Sequence, residues 1–321
     1  MNVLGLDTSN YTTSVALFNG QDGINAGKLL EVKQGELGLR QSDALFQHVR
    51  QLPGLMERLA GRPELTGLRA VGASTRPRAL EGSYMPCFLA GTSQGQALAC
   101  ALGVPFFPCS HQQGHLAAAA WSAGRLDLLE RPFLAWHLSG GTTELLLVEP
   151  EGYNVKATIL GGTRDISAGQ LIDRTGVLLG LSFPAGKALD ALCSQAQACK
   201  PFKVRLEGLH FSLSGMENKV KAMVEAGEPS ERTARFALDT VTDVVVRATK
   251  AALEQYPGLP VLCSGGVASN SRLRQAMEQS CGALFAAPEY STDNAMGVAI
   301  LTHRALCAQE DVWTVMCRSS V

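Results

Sequence analysis

Residues 3–18 have the sequence VLGLDTSNYTTSVALF, in which apolar segments flank a polar, hydroxyl-rich turn. This pattern predicts two strands joined as a hairpin. Residues 133–150, FLAWHLSGGTTELLLVEP, repeat the design around a second turn at 139–143. The repetition predicts an α/β protein of two related lobes, each beginning with a hairpin whose turn faces a shared cleft.

Glycine-containing turns mark two candidate anion sites. Gly140 and Gly141 would let backbone amides approach phosphate oxygens without an intervening side chain. A Ser-Gly-Gly turn alone is equally typical of an ordinary hairpin, so this prediction depends on the repetition. Residues 260–276, PVLCSGGVASNSRLRQA, predict a strand, a Gly-Gly turn and a helix start, a common seat for an anion or nucleoside. They match neither a Walker loop nor a dinucleotide-binding G-x-G-x-x-G.

Length and composition indicate an enzyme-like globular protein. A chain of 321 residues exceeds the usual size of one hydrophobic core, which predicts two domains. The first nine residues, MNVLGLDTS, contain no basic segment, and no apolar run is long enough to cross a membrane. We therefore expect no membrane span, no signal peptide and a cytoplasmic location. Nine cysteines without a C-x-x-C pair indicate scattered reduced thiols.

The net charge gives no sign of a nucleic-acid-binding surface. A formal charge of -1 excludes a global basic field around the protein. Any contact with RNA must then depend on a local patch or on a partner subunit.

Two histidines suggest half of a metal site. The stretch 109–115, CSHQQGH, carries His111 and His115, which lie on one face if the segment is helical. Helical spacing of two histidines is common, and ordinary packed or surface histidines are the alternative. The chain has only six histidines, however, and an acidic candidate ligand occurs at Asp293. The hypothesis is one divalent ion with open positions for a substrate oxygen. A metalloprotease is disfavoured, because the segment lacks the Glu of H-E-x-x-H.

Other polar residues have two interpretations each. Arg76 and Arg78 either bind a phosphate or carboxylate or are solvated. Asp173, on a mostly apolar helical segment, either caps a buried network or binds ribose hydroxyls.

Residues 40–60 predict a helix that breaks near Pro53, and within it His48 is interpreted as a packed residue.

Seven segments, in order along nearly the whole chain, carry a resemblance to a known family. They resemble the ASKHA superfamily (the fold of actin, sugar kinases and heat-shock chaperones) and, within it, the TsaD family of threonylcarbamoyl transferases. The resemblance implies an N-terminal lobe of residues 1–108, completed by 294–321, and a second lobe of 109–293 with the nucleotide and metal site at the cleft. The segments are VLGLDTS, SHQQGH, SGGTTEL, AGQLIDRTGVLLGL, FSLSG, SGGVASNSRLR and PEYSTDNAM.

The family activity implied is transfer of threonylcarbamoyl from its adenylate to the adenosine beside the anticodon of certain tRNAs. The resemblance assigns one metal ion, zinc or iron, to His111, His115 and Asp293. It also implies an adenylate substrate or ATP, and tRNA bound through partner proteins. Candidate catalytic residues are Asp7, Ser9 and Tyr11. The nucleotide-binding residues it implies are His137, Leu138, Ser139, Gly140, Gly141, Asp173, Gly186, Gly266 and Asn270.

Departures from the family pattern cluster around the expected cleft. The family motif E-T-S-C-D-E-T has its acidic pair replaced by Tyr11 and Thr12. The family G-P-G loop becomes Arg-Pro-Arg at 76–78. Thr142 stands in place of the His of the family's S-G-G-H-T, and Ala185 in place of the first Gly of its P-G-G turn. The retained metal ligands indicate a divergent bacterial paralogue. The alternative is a non-catalytic, nucleotide-sensing or scaffold subunit that dimerises with a related ASKHA protein.

Overall fold

The computed structural model describes residues 1–9, 11–32, 39–197 and 199–318. These residues form two compact units. The first contains Met1–Glu130, Glu149–Lys156 and the chain from Thr292 onward, and the second contains Arg131–Val148 and Ala157–Ser291. Within the described residues, no helix has the length and apolar character needed to cross a bilayer.

The strands form two sheets of matching design. In the order of the chain, they are β1 (Asn2–Ser9), β2 (Thr12–Phe18), β3 (Gly23–Leu29), β4 (Leu68–Arg76), β5 (Phe106–Ser110), β6 (Phe133–Leu138), β7 (Thr143–Glu151), β8 (Asn154–Thr163), β9 (His210–Phe211), β10 (Val261–Ser264) and β11 (Leu284–Phe285).

The first sheet has the order β3-β2-β1-β4-β5. Its first three strands are antiparallel, whereas β4 and β5 extend the sheet in parallel from β1. The second sheet has the order β11-β10-β6-β7-β8-β9, in which β6 pairs antiparallel with β7 and parallel with β10. Both sheets therefore combine an antiparallel hairpin with parallel strands. In each sheet, the predicted hairpin supplies the two strands that come first in the chain.

The helices cover these sheets. They are α1 (Gln41–Leu59), α2 (Phe88–Leu102), α3 (His111–Ser122), α4 (Ala168–Leu178), α5 (Gly186–Cys193), α6 (Ser214–Glu225), α7 (Ser230–Gln255), α8 (Ser271–Cys281) and α9 (Met296–Arg318).

Each unit has its own hydrophobic core. In the first, buried residues of β1, β2 and β4 pack with those of α1 and α2, while α9 packs on β1 and β4 and against α3. In the second, Trp136 of β6 is fully buried and its indole Nε1 donates to Thr249 Oγ1 of α7 at 2.8 Å. Two sheets, each with its own helical layer, give the α/β architecture that the sequence predicted.

The first compact unit includes 109–130, where α3 continues directly from β5 and packs against α9. The tip of the β7–β8 hairpin, 149–156, also lies in the first unit. There the Gln113 side chain donates to the Val155 carbonyl at 2.7 Å.

The predicted break in the first helix is wrong. α1 continues through Pro53, with Ala44, His48, Leu52, Leu55 and Leu59 buried along one face. Burial of that face offsets the roughly 3 kcal/mol that an interior proline costs a helix. The interpretation of His48 as a packed residue is confirmed, since the side chain is fully buried.

Candidate functional site

The two predicted metal ligands of the SHQQGH segment lie in the first turns of α3. Ser110 and Gln113 form a capping box at its start. The backbone N–H of Gln113 donates to Ser110 Oγ at 3.2 Å, and the backbone N–H of Ser110 donates to Gln113 Oε1 at 2.8 Å. This cap fixes the helix to begin at His111. One turn later His115 lies on the same face, and the two rings meet edge to face with centroids 4.3 Å apart.

Asp293 completes a triangle of possible ligand atoms with the two histidines. His111 Nε2 and His115 Nε2 are 2.9 Å apart. Asp293 Oδ1 lies 3.4 Å from the first nitrogen and 3.3 Å from the second. Ligand atoms bound at about 2.0–2.2 Å to one ion are separated by about 3 Å, so the triangle fits a single metal. Two imidazoles and a carboxylate are a donor set typical of zinc or non-haem iron.

Asp293 is held in place by the segment around it. It lies just before α9, where Asn294 Oδ1 accepts from the Met296 amide at 3.1 Å. In addition, Oδ1 of Asn25 in β3 accepts from the backbone amide of Ala295 at 3.0 Å. The loop that carries the carboxylate is thus fixed at both the helix and the sheet.

Charge within the site favours the ionised carboxylate and a protonated imidazole when no metal is bound. Burial lowers the pKa of His111, but the carboxylates of Asp7 and Asp293 outweigh burial and raise that pKa to about 10. Burial also raises the pKa of Asp293, but hydrogen bonds from His111 and His115 hold it well below its usual range. A divalent cation would replace the proton in this negative environment.

Asp7, a predicted catalytic residue, lies behind His111. Its Oδ2 is 3.0 Å from His111 Nδ1, the ring nitrogen that does not face Asp293. Ser9, also predicted as catalytic, donates to the same oxygen at 3.1 Å, and Ser74 of β4 donates to Oδ1. Asp7 is fully buried and Ser9 nearly so. Sequence patterns identified Asp7 but not its contact with Ser74, because the pairing of β1 with β4 depends on the tertiary fold.

Tyr11 and Arg76 lie at other places on the first unit. Tyr11 is in the turn between β1 and β2, 40% exposed, and its carbonyl accepts from the Leu30 amide at 2.9 Å. Asn10, beside it, lies outside the described residues. Arg76 ends β4 and lines a cavity of about 350 Å³ together with Gln113 and Tyr153. Arg78, two residues on, donates its amide to Ser83 Oγ at 3.1 Å.

The second unit contains the predicted glycine turn. β6 ends with His137 and Leu138, and the turn closes as the Ser139 amide donates to the Thr142 carbonyl at 2.8 Å. Ser167, the N-cap of α4, donates to the Gly140 carbonyl at 2.6 Å. A Cβ added to Gly140 or Gly141 would meet no atom within 4 Å, so this face of the turn is open to a ligand.

The remaining predicted nucleotide residues follow strands or begin helices of the same unit. Gly266 follows β10 in a short 3₁₀ turn and is also open, and Gly186 begins α5. Asp173 Oδ1 accepts from the Ala185 amide at 2.8 Å, so that oxygen fixes the turn before α5. Asn270 caps α8 by accepting from the Leu273 amide at 3.0 Å.

Two further aspartates organise the second unit, and sequence reasoning missed both. Asp190 accepts from Asn270 Nδ2 and from the Ser271 amide, each at 3.0 Å. Asp165 accepts from the Leu213 amide at 2.8 Å and from Ser212 Oγ, and so fixes the FSLSG segment. Asp190 lies within α5 and Asp165 in a loop, and in neither setting does a lone aspartate give a sequence signal of such distant partners.

Solved structures with similar folds define the class. Full-length HypF in its phosphate- and nucleotide-bound form matches with a TM-score of 0.61 and 11% identity, over 96% of this chain and 55% of that one. Component A of the (R)-2-hydroxyglutaryl-CoA dehydratase of Acidaminococcus fermentans matches at 0.55 with 15% identity, over 96% and 99% of the two chains. A putative N-acetylmannosamine kinase of Listeria monocytogenes matches at 0.51 with 11% identity, over 97% of this chain and all of that one. The fold is therefore that of the ASKHA superfamily, as predicted.

Sequence comparison narrows this class to one family. The model of the family TsaD, tRNA N6-adenosine threonylcarbamoyltransferase, matches residues 36–300. The enzyme of that name from Thermus thermophilus is 33% identical over 316 residues, covering 94% of this chain and 92% of the relative. The one from Chloroherpeton thalassium is 30% identical over 335 residues, with the same coverage. The chain belongs to the TsaD family, which confirms the resemblance and the prediction of a transferase.

Proposed function

We propose that the protein is a metal-dependent transferase that moves a threonylcarbamoyl group from its adenylate to the adenosine beside a tRNA anticodon. One observation supports this most strongly: the ligand atoms of His111, His115 and Asp293 lie within 3.4 Å of one another. The family relatives are named for this transfer to tRNA.

A divalent ion, zinc or iron, is held by His111, His115 and Asp293 in this proposal. When bound there, such an ion would supply Lewis-acid polarisation of the carbamate carbonyl and neutralise the threonine carboxylate. The three side chains would supply two nitrogens and one oxygen to the ion, and further coordination positions would be available to substrate oxygens.

The second unit supplies the nucleotide site. The open backbone at Gly140, Gly141 and Gly266 allows amides to contact a phosphate closely, without a side chain in between. Asp173 has one carboxylate oxygen on the Ala185 amide and a second oxygen that can accept from a ribose hydroxyl. The main work of the protein is then to hold the activated carbonyl and the attacking amine in alignment.

A second candidate is a nucleotide-binding partner subunit without transferase activity. Tyr11 and Thr12 favour it, because they stand where the family pattern has an acidic pair. A carboxylate that could orient the amine is then missing. Such a subunit would dimerise with a related ASKHA protein.

The two candidates are separated by measuring metal content and transfer on the same sample. The purified protein is supplied with labelled threonylcarbamoyl-adenylate and tRNA, with and without candidate partner proteins. We expect label on tRNA that carries adenosine beside the anticodon and none on a matched tRNA with guanosine there. If the protein contains metal but transfers no label to tRNA under all of these conditions, the result would favour the partner subunit. Rescue of cells that lack the authentic transferase would exclude the partner subunit.

A further inference from the structure

The Asp7 carboxylate is enclosed by three hydrogen-bonding side chains and has no access to solvent. His111 Nδ1 and Ser9 Oγ contact Oδ2 at 3.0 and 3.1 Å, and Ser74 Oγ contacts Oδ1. The side chains of Asp7 and Ser74 are fully buried. A carboxylate that is enclosed in this way cannot contact a substrate or a reacting atom.

The geometry of the imidazole ring also excludes Asp7 as a metal ligand. The two ring nitrogens point in divergent directions, and Nε2 of His111 is the one that faces His115 and Asp293. Asp7 therefore lies on the opposite side of the ring from the ligand triangle. It can act on a metal only through His111.

When a metal replaces one proton of the His111 ring, the hydrogen bond to Asp7 decides which nitrogen keeps the other proton. An ionised carboxylate accepts only, so Nδ1 must donate, and in the neutral ring Nε2 is then left with its lone pair. The two serine hydroxyls donate to the same carboxylate and hold it in one orientation. The strands β1 and β4 supply Asp7, Ser9 and Ser74, so the orientation of the ligand is built into the first sheet.

We propose that Asp7 is the positioning residue of the metal centre, which fixes the tautomer of His111 and aims its Nε2 at the ion. This inference rests on the proposed metal site and deepens it. Carboxylate partners of metal-binding histidines orient the ring and raise its basicity, and their loss lowers metal affinity by roughly 10–100-fold. In this proposal, Asp7 acts as a positioning residue, whereas the sequence predicts a catalytic role for it.

The test compares zinc affinity in variants of the full chain. Zn²⁺ alone is the probe, in competition with a chromophoric chelator. We expect Asp7→Asn and Asp7→Ala to bind zinc roughly 10–100-fold more weakly than the wild type. The matched control is Ser14→Ala, because Ser14 is also buried and its Oγ contacts the main-chain oxygen of Asp7, at 3.4 Å, rather than the carboxylate. This control should bind zinc as the wild type does, and circular dichroism verifies that each variant is folded.

A spectroscopic measurement on the zinc-loaded wild type covers the case in which the Asp7 variants do not fold. Long-range ¹H–¹⁵N spectra should show His111 with a proton on Nδ1 and zinc on Nε2. Zinc on Nδ1 would overturn the inference, as would wild-type zinc affinity in a folded Asp7→Asn variant. If the wild type and His111→Ala both fail to bind zinc, the proposed metal site itself is wrong, and the two failures are thereby distinguished.

Discussion

Gly114 of α3 and Gly297 of α9 bring two backbones into direct contact. A Cβ added to Gly297 would lie 1.7 Å from the Gly114 carbonyl oxygen, closer than any real contact allows. Gly114 lies between the two histidines, and Gly297 lies four residues after Asp293. The glycine contact therefore sets the distance at which the carboxylate meets the imidazoles.

Gly297→Ala should separate α3 from α9 and weaken zinc binding at least tenfold. Steric overlap with backbone cannot be relieved by a rotamer change, so we expect a loss of about 3 kcal/mol in the free energy of unfolding. Urea unfolding and zinc titration measure the two effects. Gly54→Ala is the matched control, because Gly54 lies within α1 and a Cβ there meets no atom within 4 Å. The control should stay within about 1 kcal/mol of the wild type. Unchanged zinc affinity in Gly297→Ala would refute this account of the contact.

Gly140→Ala should reduce binding of an adenine nucleotide while leaving stability unchanged. A methyl group there meets open space in the protein but occupies the face proposed for the phosphate. Gly169→Ala should instead lower stability, because its Cβ would lie 2.5 Å from the Gly140 Cα. Calorimetric titration with ATP and thermal unfolding compare the two variants. Wild-type ATP affinity in Gly140→Ala would remove the turn from the nucleotide site.

His48 should make the protein less stable in mild acid. Its Nδ1 lies 2.8 Å from Thr13 Oγ1, which donates in turn to Gln51 Oε1, also at 2.8 Å. Burial lowers the pKa of His48 to about 4. The unfolded chain, with a histidine pKa near 6.5, thus binds more protons between those two values. Stability from the neutral ring is present above about pH 6.5 and is lost as pH falls towards 4, by roughly 3 kcal/mol.

The His48 effect is isolated by His48→Gln, which keeps a polar group near Thr13 but does not titrate. Urea unfolding at pH 7, 5.5 and 4 should show a smaller acid-induced loss in this variant than in the wild type. Parallel pH profiles for the two proteins would show that His48 titrates normally.

The two-sheet fold could be predicted because its signal is local. The hairpin at 3–18 and its repeat at 133–150 each depend on neighbouring residues, and both form. The spacing of His111 and His115 is likewise a local property of a helix. Long-range contacts carry no such signal, which is why the α3–α9 contact and the enclosure of Asp7 by Ser74 emerged only from the structure. The prediction of a break at Pro53 is wrong for the same reason: α1 continues through the proline because one face of the helix is buried against the rest of the unit, and that packing is a tertiary property.

The most direct test of the metal centre is the metal content of the purified protein beside that of three variants. The ligand triangle predicts about one divalent ion per chain in the wild type, since the described part of the chain forms one such cluster. His111→Ala, His115→Ala and Asp293→Ala should each lose the ion while circular dichroism shows a folded protein. Wild-type metal content in a folded His111→Ala variant would contradict the proposed site.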